Sequence, residues 1–140
     1  MAALSLTGGL AVAVPAEVAG LIEAQKRFGT LSLAILVAPA LKLANEGFPL
    51  DAALRVAIER QQSAMKRFAD LGRVFLPNGT VPKEGEIIRQ PDLGATLKAI
   101  AQDGGESFYR GRIAAAIVET VHSTGAVSYT HLTLPTIYSV

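Results

Sequence analysis

Glycine and proline residues divide this sequence of 140 residues into short segments, most of which space their hydrophobic residues as one face of an amphipathic helix does. The first segment is expected to begin a helix at Pro15, because a proline at the first helical position loses no hydrogen bond. Gly29 is expected to end this helix in a left-handed conformation. The hydrophobic residues predicted to form its buried face are Val18, Leu21, Ile22 and Phe28.

A second helix is predicted to run to about Glu46, with Thr30 or Ser32 as its N-cap and Gly47 as its left-handed stop. Pro39 lies inside this segment. Proline removes a backbone hydrogen bond and crowds the preceding turn, so a kink or a break is expected there.

A third helix is predicted from Asp51, whose side chain suits an N-cap, to Gly72. Its spacing of side chains places one face toward a core. The residues on that face are Leu54, Ile58, Gln61, Met65 and Phe68.

The composition changes between Leu71 and Gly94, where an otherwise alanine-rich chain has no alanine. Pro77-Asn78-Gly79 is typical of a tight turn, and Glu86-Ile87-Ile88-Arg89 of a short extended piece. The sequence therefore predicts a mainly α-helical fragment with a short β/loop insertion at about residues 72–90.

Two further helices are predicted after this insertion. One begins at Pro91 and stops at Gly104-Gly105, and the other runs from about Arg112 to Ser123 and is ended by Gly125. Their predicted buried residues are Leu93, Leu97 and Ile100 in the first and Ile113, Ile117 and Val121 in the second.

Composition excludes several classes of function. The formal net charge is +1, which provides no electrostatic footprint for nucleic acid or an anionic membrane. The chain contains no cysteine, so disulfides, thiolate metal sites and a cysteine nucleophile are excluded. Half of the residues are hydrophobic, which suggests that part of the apolar surface packs against a partner or another part of a longer chain.

No catalytic, cofactor-binding or metal-binding residue is assigned from the sequence. His122 and His131 have no carboxylate or histidine at a metal-ligand spacing. Other candidates have simpler structural interpretations as solvated turns or surface ion pairs. They are Glu84 with Glu86, the glycosylation sequon Asn78-Gly79-Thr80, which is interpreted as a turn, and Arg110 with Arg112, which are expected to pair with Glu106 and Asp103.

The order of several motifs over about residues 8–125 resembles the large-subunit segment of the γ-glutamyltransferases, also called γ-glutamyltranspeptidases or glutathione hydrolases. Ala16 departs from the family, which usually has glycine there. The motifs are Ala11-Val-Ala-Val-Pro15 with Val18-Ala-Gly20, Arg27-Phe-Gly-Thr-Leu31, Leu36-Val-Ala-Pro-Ala40 with Leu43-Ala44 and Glu46-Gly-Phe-Pro49, Phe75-Leu-Pro with Gly79, Gly85 with Arg89-Gln-Pro-Asp-Leu93, Thr96-Leu97 and Ile100-Ala101, and Phe108-Tyr-Arg-Gly111 with Ile113-Ala114 and Ala116-Ile117.

The resemblance implies an N-terminal nucleophile hydrolase with an αββα sandwich, made as a precursor that cuts itself into a large and a small subunit. The threonine exposed on the small subunit would attack γ-glutamyl amides such as glutathione and its conjugates, without a cofactor, and pass the γ-glutamyl group to water or an amino acid. The nucleophile, the oxyanion groups and the donor-binding arginine have no match here, and Arg27, Arg73, Arg89 and Arg110 are not assigned to replace them. The family implies a periplasmic or extracellular location.

The resemblance stops after Ser123-Thr-Gly125, where the family continues with a second glycine and a Leu-Thr-x-Glu-Asp-Leu helix start. Residues 127–140 instead look like a sequencing adapter translated in one reading frame. We therefore expect residues 1–126 to be an internal segment of a γ-glutamyltransferase large subunit that acts as scaffold and is inactive alone. Residues 127–140, which include His131, are expected to be a non-native tail.

Two alternatives remain open from the sequence. The first is a fragment of a related cephalosporin or glutaryl acylase, because the residues that set specificity lie outside this chain. The second is a non-catalytic helical interaction module, which should unfold cooperatively and bind little hydrophobic dye. A scaffold fragment should instead unfold with weak or no cooperativity, because helix faces meant for the absent sheets stay exposed.

Overall fold

The computed structural model describes residues 8–123, which form two compact units. Residues 8–36 and 98–123 belong to one unit, called the terminal unit below, and residues 37–97 form the other, called the central unit. A 3-10 turn at Gly9–Ala11 precedes the regular elements. These are α1 (Glu17–Phe28), α2 (Leu33–Glu46), β1 (Phe48–Pro49), α3 (Ala52–Arg67), α4 (Ala69–Phe75), β2 (Ile87–Ile88), α5 (Pro91–Asp103), α6 (Glu106–Tyr109) and α7 (Arg112–Ser123).

Helix α1 forms where the sequence predicts it, but both of its ends differ from the prediction. Ala16 is the N-cap, so Pro15 lies just outside the helix. Gly29 has φ −80° and ψ 141°, an extended conformation, so the predicted left-handed stop is wrong. Of the predicted buried face only Ile22 is buried, whereas Leu21 is 63% and Phe28 is 83% exposed. Hydrophobic spacing identified the helix correctly, yet the described residues cover only part of its apolar surface.

Helix α2 continues through Pro39, so of the two expected outcomes the break is wrong and the kink stays a prediction. Pro39 and Ile35 are both exposed, and the Ile35 carbonyl that loses its helical donor is therefore within reach of water. Ser32 is the cap of the two candidates, since its hydroxyl accepts a hydrogen bond from the Ile35 amide at 3.4 Å. Gly47 ends the helix with φ 88°, which confirms the predicted left-handed stop.

Helix α3 begins as predicted, with the Asp51 carboxylate accepting a hydrogen bond from the Leu54 amide at 2.7 Å. It ends at Arg67 rather than at Gly72, because the extended backbone of Phe68 separates it from α4. Gly72 lies inside α4, where an added Cβ would stand 2.9 Å from the Met65 carbonyl oxygen. Gly72 therefore permits close packing of the two helices instead of ending one of them.

The face of α3 toward the core also differs in one position from the prediction, because Gln61 is exposed. Ile58 is 1% exposed, and Leu54 and Met65 pack against the same core, so the rest of that face is largely confirmed. The core of the central unit consists of Leu50, Ile58, Leu76 and Ile88.

The insertion contains the predicted extended piece, β2, which pairs antiparallel with β1. Phe48 lies opposite Ile88 and Pro49 opposite Ile87. Because α4 extends to Phe75, the non-helical part of the insertion is shorter than predicted. A left-handed Asn78, with φ 61°, confirms the turn at Pro77-Asn78-Gly79.

Helices α5 and α7 occupy the predicted positions, and the short helix α6 between them was not predicted. Val121 and Ile100 are buried in the terminal unit, and Leu97 is half-buried in the central unit, but Leu93 is 43% exposed, so its predicted burial is wrong. Gly125 and the segment 127–140 lie outside the described residues.

Candidate functional site

The hydroxyl group of Tyr109 fastens α6 to the beginning of α1. It accepts a hydrogen bond from the Ala19 amide and donates one to the Pro15 carbonyl oxygen, both at 2.7 Å. The ring also packs edge-on against Phe108, with centroids 4.9 Å apart. The N-cap of α1 is Ala16, which has no side-chain acceptor, so Tyr109 satisfies a helix amide that the local sequence leaves open.

Replacing Tyr109 with phenylalanine should destabilise the terminal unit by about 1–3 kcal/mol, because the Ala19 amide and the Pro15 carbonyl lose their partner while the ring is kept. Hydrogen exchange of the Ala19 amide, measured by NMR in Tyr109→Phe and in the parent chain, should show faster exchange in the variant. Equal protection in both would show that the hydroxyl does not cap α1.

Asp103 organises the turn between α5 and α6. Its carboxylate accepts hydrogen bonds from the amides of Gly105 at 2.9 Å and Ser107 at 3.0 Å. Hydrogen bonding by the Ser107 side chain, together with these amides and that of Glu106, holds the pKa of Asp103 below its usual value, against the opposing effect of burial. Asp103 therefore serves the backbone of the turn and does not form the ion pair that the sequence suggested.

Because the pKa of Asp103 is lowered on folding, its contribution to stability is complete above its ordinary pKa of 3.8 and is lost as the pH falls through the lower, folded value. An NMR titration of the Asp103 carboxyl should therefore give a midpoint below 3.8, its unperturbed value. In Ser107→Ala the midpoint should move upward. A midpoint at or above 3.8 in the parent chain would contradict this account.

The remaining charged candidates lie on the surface. Arg110 is 3.6 Å from Glu106, with both side chains 65% exposed, which confirms one of the two predicted ion pairs. Arg73 contacts Asp92 at 2.8 Å and Asp70 at 3.6 Å. Ion pairs at such exposed positions contribute little to stability.

The residues with possible acid–base or metal-binding chemistry are dispersed. Glu84 and Glu86 are exposed on either side of Gly85, whose φ of 85° forms a turn. His122 is exposed near the end of α7, and His131 lies outside the described residues. Within residues 8–123 no three histidine, aspartate or glutamate side chains are grouped so as to hold a metal ion. In the same range, no helix has the length and hydrophobicity needed to cross a membrane.

Sequence reasoning missed Tyr109, whose hydroxyl makes two hydrogen bonds to the backbone. It stands in Phe108-Tyr-Arg-Gly111, and its partners are 90 and 94 residues away along the chain. The available signal was indirect: α1 begins without a capping side chain, so an acceptor from a distant segment was required.

Comparison with known proteins gives a consistent result. The family model described as gamma-glutamyltranspeptidase matches residues 1–133. The glutathione hydrolase proenzyme of Bacillus subtilis (strain 168) is 42% identical over 120 residues, which are 86% of this chain and 20% of that protein. The chain thus spans about a fifth of the length of this curated relative.

Two solved structures extend the comparison to the fold. Helicobacter pylori γ-glutamyltranspeptidase has a TM-score of 0.87 and 28% identity, covering 95% of this chain and 37% of that one. A cephalosporin acylase from Bacillus halodurans has a TM-score of 0.80 and 32% identity, and the match covers 90% of this chain and 24% of the acylase.

These matches define the class of protein: the chain resembles part of enzymes that include γ-glutamyl hydrolases and related acylases. The chain belongs to the γ-glutamyltranspeptidase family. The resemblance inferred from the order of motifs is confirmed, and the name proenzyme in its relatives fits the expected self-processing. The matched range ends inside residues 127–140, so the origin of that tail stays a prediction.

Proposed function

We propose that this chain is a scaffold segment of the large subunit of a γ-glutamyltransferase that cleaves γ-glutamyl amides, glutathione and its conjugates among them. The observation that carries the proposal is the family match over residues 1–133 combined with coverage of only a fifth of a 42% identical glutathione hydrolase proenzyme. On this proposal residues 8–123 hold neighbouring parts of the enzyme in place and supply no nucleophile.

The polar contacts of the described residues support a scaffold role. Tyr109 and Asp103 direct their polar atoms at backbone groups of the terminal unit. Arg73 pairs with surface carboxylates of the central unit. Tyr109 and Asp103 thus stabilise a helix end and a turn, which are structural tasks, and Arg73 forms only surface ion pairs.

The distribution of hydrophobic residues supports the proposal independently. In the part of the chain that the structure describes, eight hydrophobic residues are buried, whereas twelve large hydrophobic residues are exposed. Phe28, Leu21 and Ile35 are 83%, 63% and 58% exposed, which is unusual for a self-sufficient domain of this size. In the proposed αββα sandwich such faces pack against other layers of the same enzyme.

The proposed reaction belongs to the assembled enzyme. The threonine hydroxyl of the small subunit attacks the γ-carbonyl carbon of the donor, and the α-amine of that threonine takes the hydroxyl proton. Backbone N–H groups stabilise the oxyanion. The α-amine of the threonine passes the proton to the amine of the donor amide, which leaves, and a γ-glutamyl ester of the threonine remains. Water then yields glutamate, or an amino acid yields a new γ-glutamyl amide.

A segment exchange tests the scaffold role. Residues 8–123 would replace the aligned segment of the Bacillus subtilis glutathione hydrolase proenzyme, with the unaltered proenzyme as the control. We expect the hybrid to cut itself into two chains and to release glutamate from glutathione, since the host supplies the nucleophile. The isolated chain should release none.

A hybrid that melts cooperatively yet neither cuts itself nor cleaves glutathione would contradict the proposed role. Glutamate release by the isolated chain would also contradict the scaffold role, because such activity would require catalytic groups within this sequence. A sharp thermal transition of the isolated chain with little binding of a hydrophobic dye would favour the independent helical module.

The similarity to a cephalosporin acylase, at 32% identity and a TM-score of 0.80, favours a second candidate function. A glutaryl amide differs from a γ-glutamyl amide only by the absent α-amine, so the same threonine chemistry would serve both substrates. The complete enzyme, assayed with both amides, distinguishes the candidates. Preference for the γ-glutamyl amide supports the first proposal, and preference for the glutaryl amide supports the acylase.

We further propose that residues 1–126 are the native segment and that residues 127–140 are not native to the enzyme. The support is the absence of the expected Leu-Thr-x-Glu-Asp-Leu helix start after Gly125 and the resemblance of the tail to a translated adapter, although the family match itself extends to residue 133. A long sequencing read of the source DNA across the codons for Gly125 and Ala126 tests this point.

A further inference from the structure

We propose that Asn78 is a site of spontaneous deamidation and that opening of the turn at residues 77–79 sets its rate. Asn78 is exposed and directly precedes Gly79, which has no side chain to hinder attack by its own amide nitrogen. An added Cβ at Gly79 would meet no atom within 4 Å, so the surroundings leave room for a ring to form. The inference does not depend on the proposed enzymatic function.

The reaction consumes water and releases ammonia without any oxidation or reduction. The backbone nitrogen of Gly79 attacks the side-chain amide carbon of Asn78, and a new N–C bond closes a five-membered imide. The C–N bond of the side-chain amide breaks, and its NH₂ group leaves as ammonia with the proton lost by Gly79. Water then opens the imide to aspartate or to isoaspartate, whose backbone contains an additional methylene.

The closed turn holds this nucleophile away from its target. The Gly79 N–H donates a hydrogen bond to the Leu76 carbonyl oxygen at 2.8 Å. Asn78 is left-handed, with φ 61° and ψ 21°, the backbone required at the third position of a type II turn. Attack needs a free nitrogen aligned with the amide carbon, so the turn must open before the imide forms.

Neighbouring residues determine how often the turn opens. Leu76 is 4% exposed in the core of the central unit, which anchors one end of the turn. Pro77 occupies the second position, where its fixed φ favours the turn over the open chain. Pro77, Asn78, Gly79 and Thr80 are all exposed, so the turn can open without exposing the core. Its opening should therefore be a local event.

The test follows deamidation of the full chain by peptide mass spectrometry, folded in buffer and unfolded in urea at the same pH. We expect deamidation at Asn78 in both states, slower in the folded chain by about tenfold or more. The ratio of the deamidation rates in the unfolded and folded chain should equal the hydrogen-exchange protection factor of the Gly79 amide, measured separately. Asn45, the other asparagine of the chain, is followed by Glu46 within α2 and is the internal control, expected to stay intact when folded.

Two variants complete the test. Asn78→Gln should abolish the gain of a negative charge at position 78, because the longer glutamine side chain would have to form a six-membered ring, which is far slower. Pro77→Ala should increase the rate about two- to fivefold by favouring the open turn.

Three results would overturn the proposal. Equal rates in the folded and unfolded chain would show that the turn does not control the reaction, as would slowing unrelated to the protection of Gly79. An intact Asn78 in urea would show that it is not a deamidation site. If Pro77→Ala does not fold, the comparison of rate with amide protection in the parent chain decides the question.

Discussion

Replacing Gly47 with alanine should cost the central unit about 3–5 kcal/mol of its free energy of unfolding. Gly47 has φ 88°, a conformation that alanine adopts only with strain. Its Cβ would also lie 2.7 Å from the carbonyl oxygen of Ile88 and in contact with the Ile87 side chain. A backbone carbonyl in a paired strand cannot move aside cheaply, so β1 and β2 would have to separate.

Gly85→Ala is the matched control for this prediction, since Gly85 has φ 85° but no atom within 4 Å of an added Cβ. It should cost only the conformational strain, about 1–2 kcal/mol. Hydrogen exchange of the Leu50 amide, which donates to the Glu86 carbonyl oxygen at 2.8 Å, measures the local stability of both variants against the parent chain. Equal losses in the two would show that the close approach of Gly47 to β2 contributes nothing.

Leu50→Ala should destabilise the central unit by about 2–5 kcal/mol, because it removes a side chain that is only 1% exposed and leaves a cavity. Leu50 packs in the core with Ile58, Leu76 and Ile88. Two backbone hydrogen bonds at this position would remain. The amide donates to the Glu86 carbonyl oxygen, and the carbonyl oxygen accepts from the Gly85 amide, both at 2.8 Å. The loss therefore reports the packing of the side chain, and hydrogen exchange of the backbone amide at position 50 measures it.

Leu43→Ala is the control here, because it makes the same chemical change at a residue that is 53% exposed. In this chain it should alter the free energy of unfolding by no more than about 0.5 kcal/mol. A cost at Leu43 comparable to that at Leu50 would contradict the described core. In a complete γ-glutamyltransferase, where other layers are proposed to cover such faces, Leu43→Ala should become more costly.

The helices of this chain could be predicted from local patterns because their determinants are local. Asp51 caps α3 through the amide of a residue three positions away, and Gly47 ends α2 through its own backbone freedom. In the same way, the turn at Asn78 follows from residues within one tetrapeptide. Such features depend on propensity and capping, which the sequence displays directly.

Features that join distant segments could not be predicted. The pairing of Phe48 with Ile88 and the contact of Tyr109 with Ala19 depend on packing that no local pattern encodes. The exposure of Leu21 and Phe28 was mispredicted for a related reason. Periodicity marks a face as apolar, but whether a face is covered depends on what else the polypeptide contains.

For the candidate site, too, some features could be predicted from the sequence and others could not. Family membership followed from the order of motifs and is confirmed. No residue of the described chain was assigned to catalysis, because the matched motifs contain glycines, prolines and helix faces instead of a nucleophile with its base. Specificity for γ-glutamyl or glutaryl donors is proposed to depend on residues that those motifs do not include.

The central claim is that this chain is a scaffold segment of a longer, self-processing γ-glutamyl enzyme. A long sequencing read of the source DNA across the codons for Gly125 and Ala126 tests it most directly. We predict that the reading frame continues into a Leu-Thr-x-Glu-Asp-Leu helix start and then to a processing site with threonine at the cut. A read that confirms the codons for residues 127–140 followed by a stop codon would contradict the claim and leave a helical module to be studied for binding.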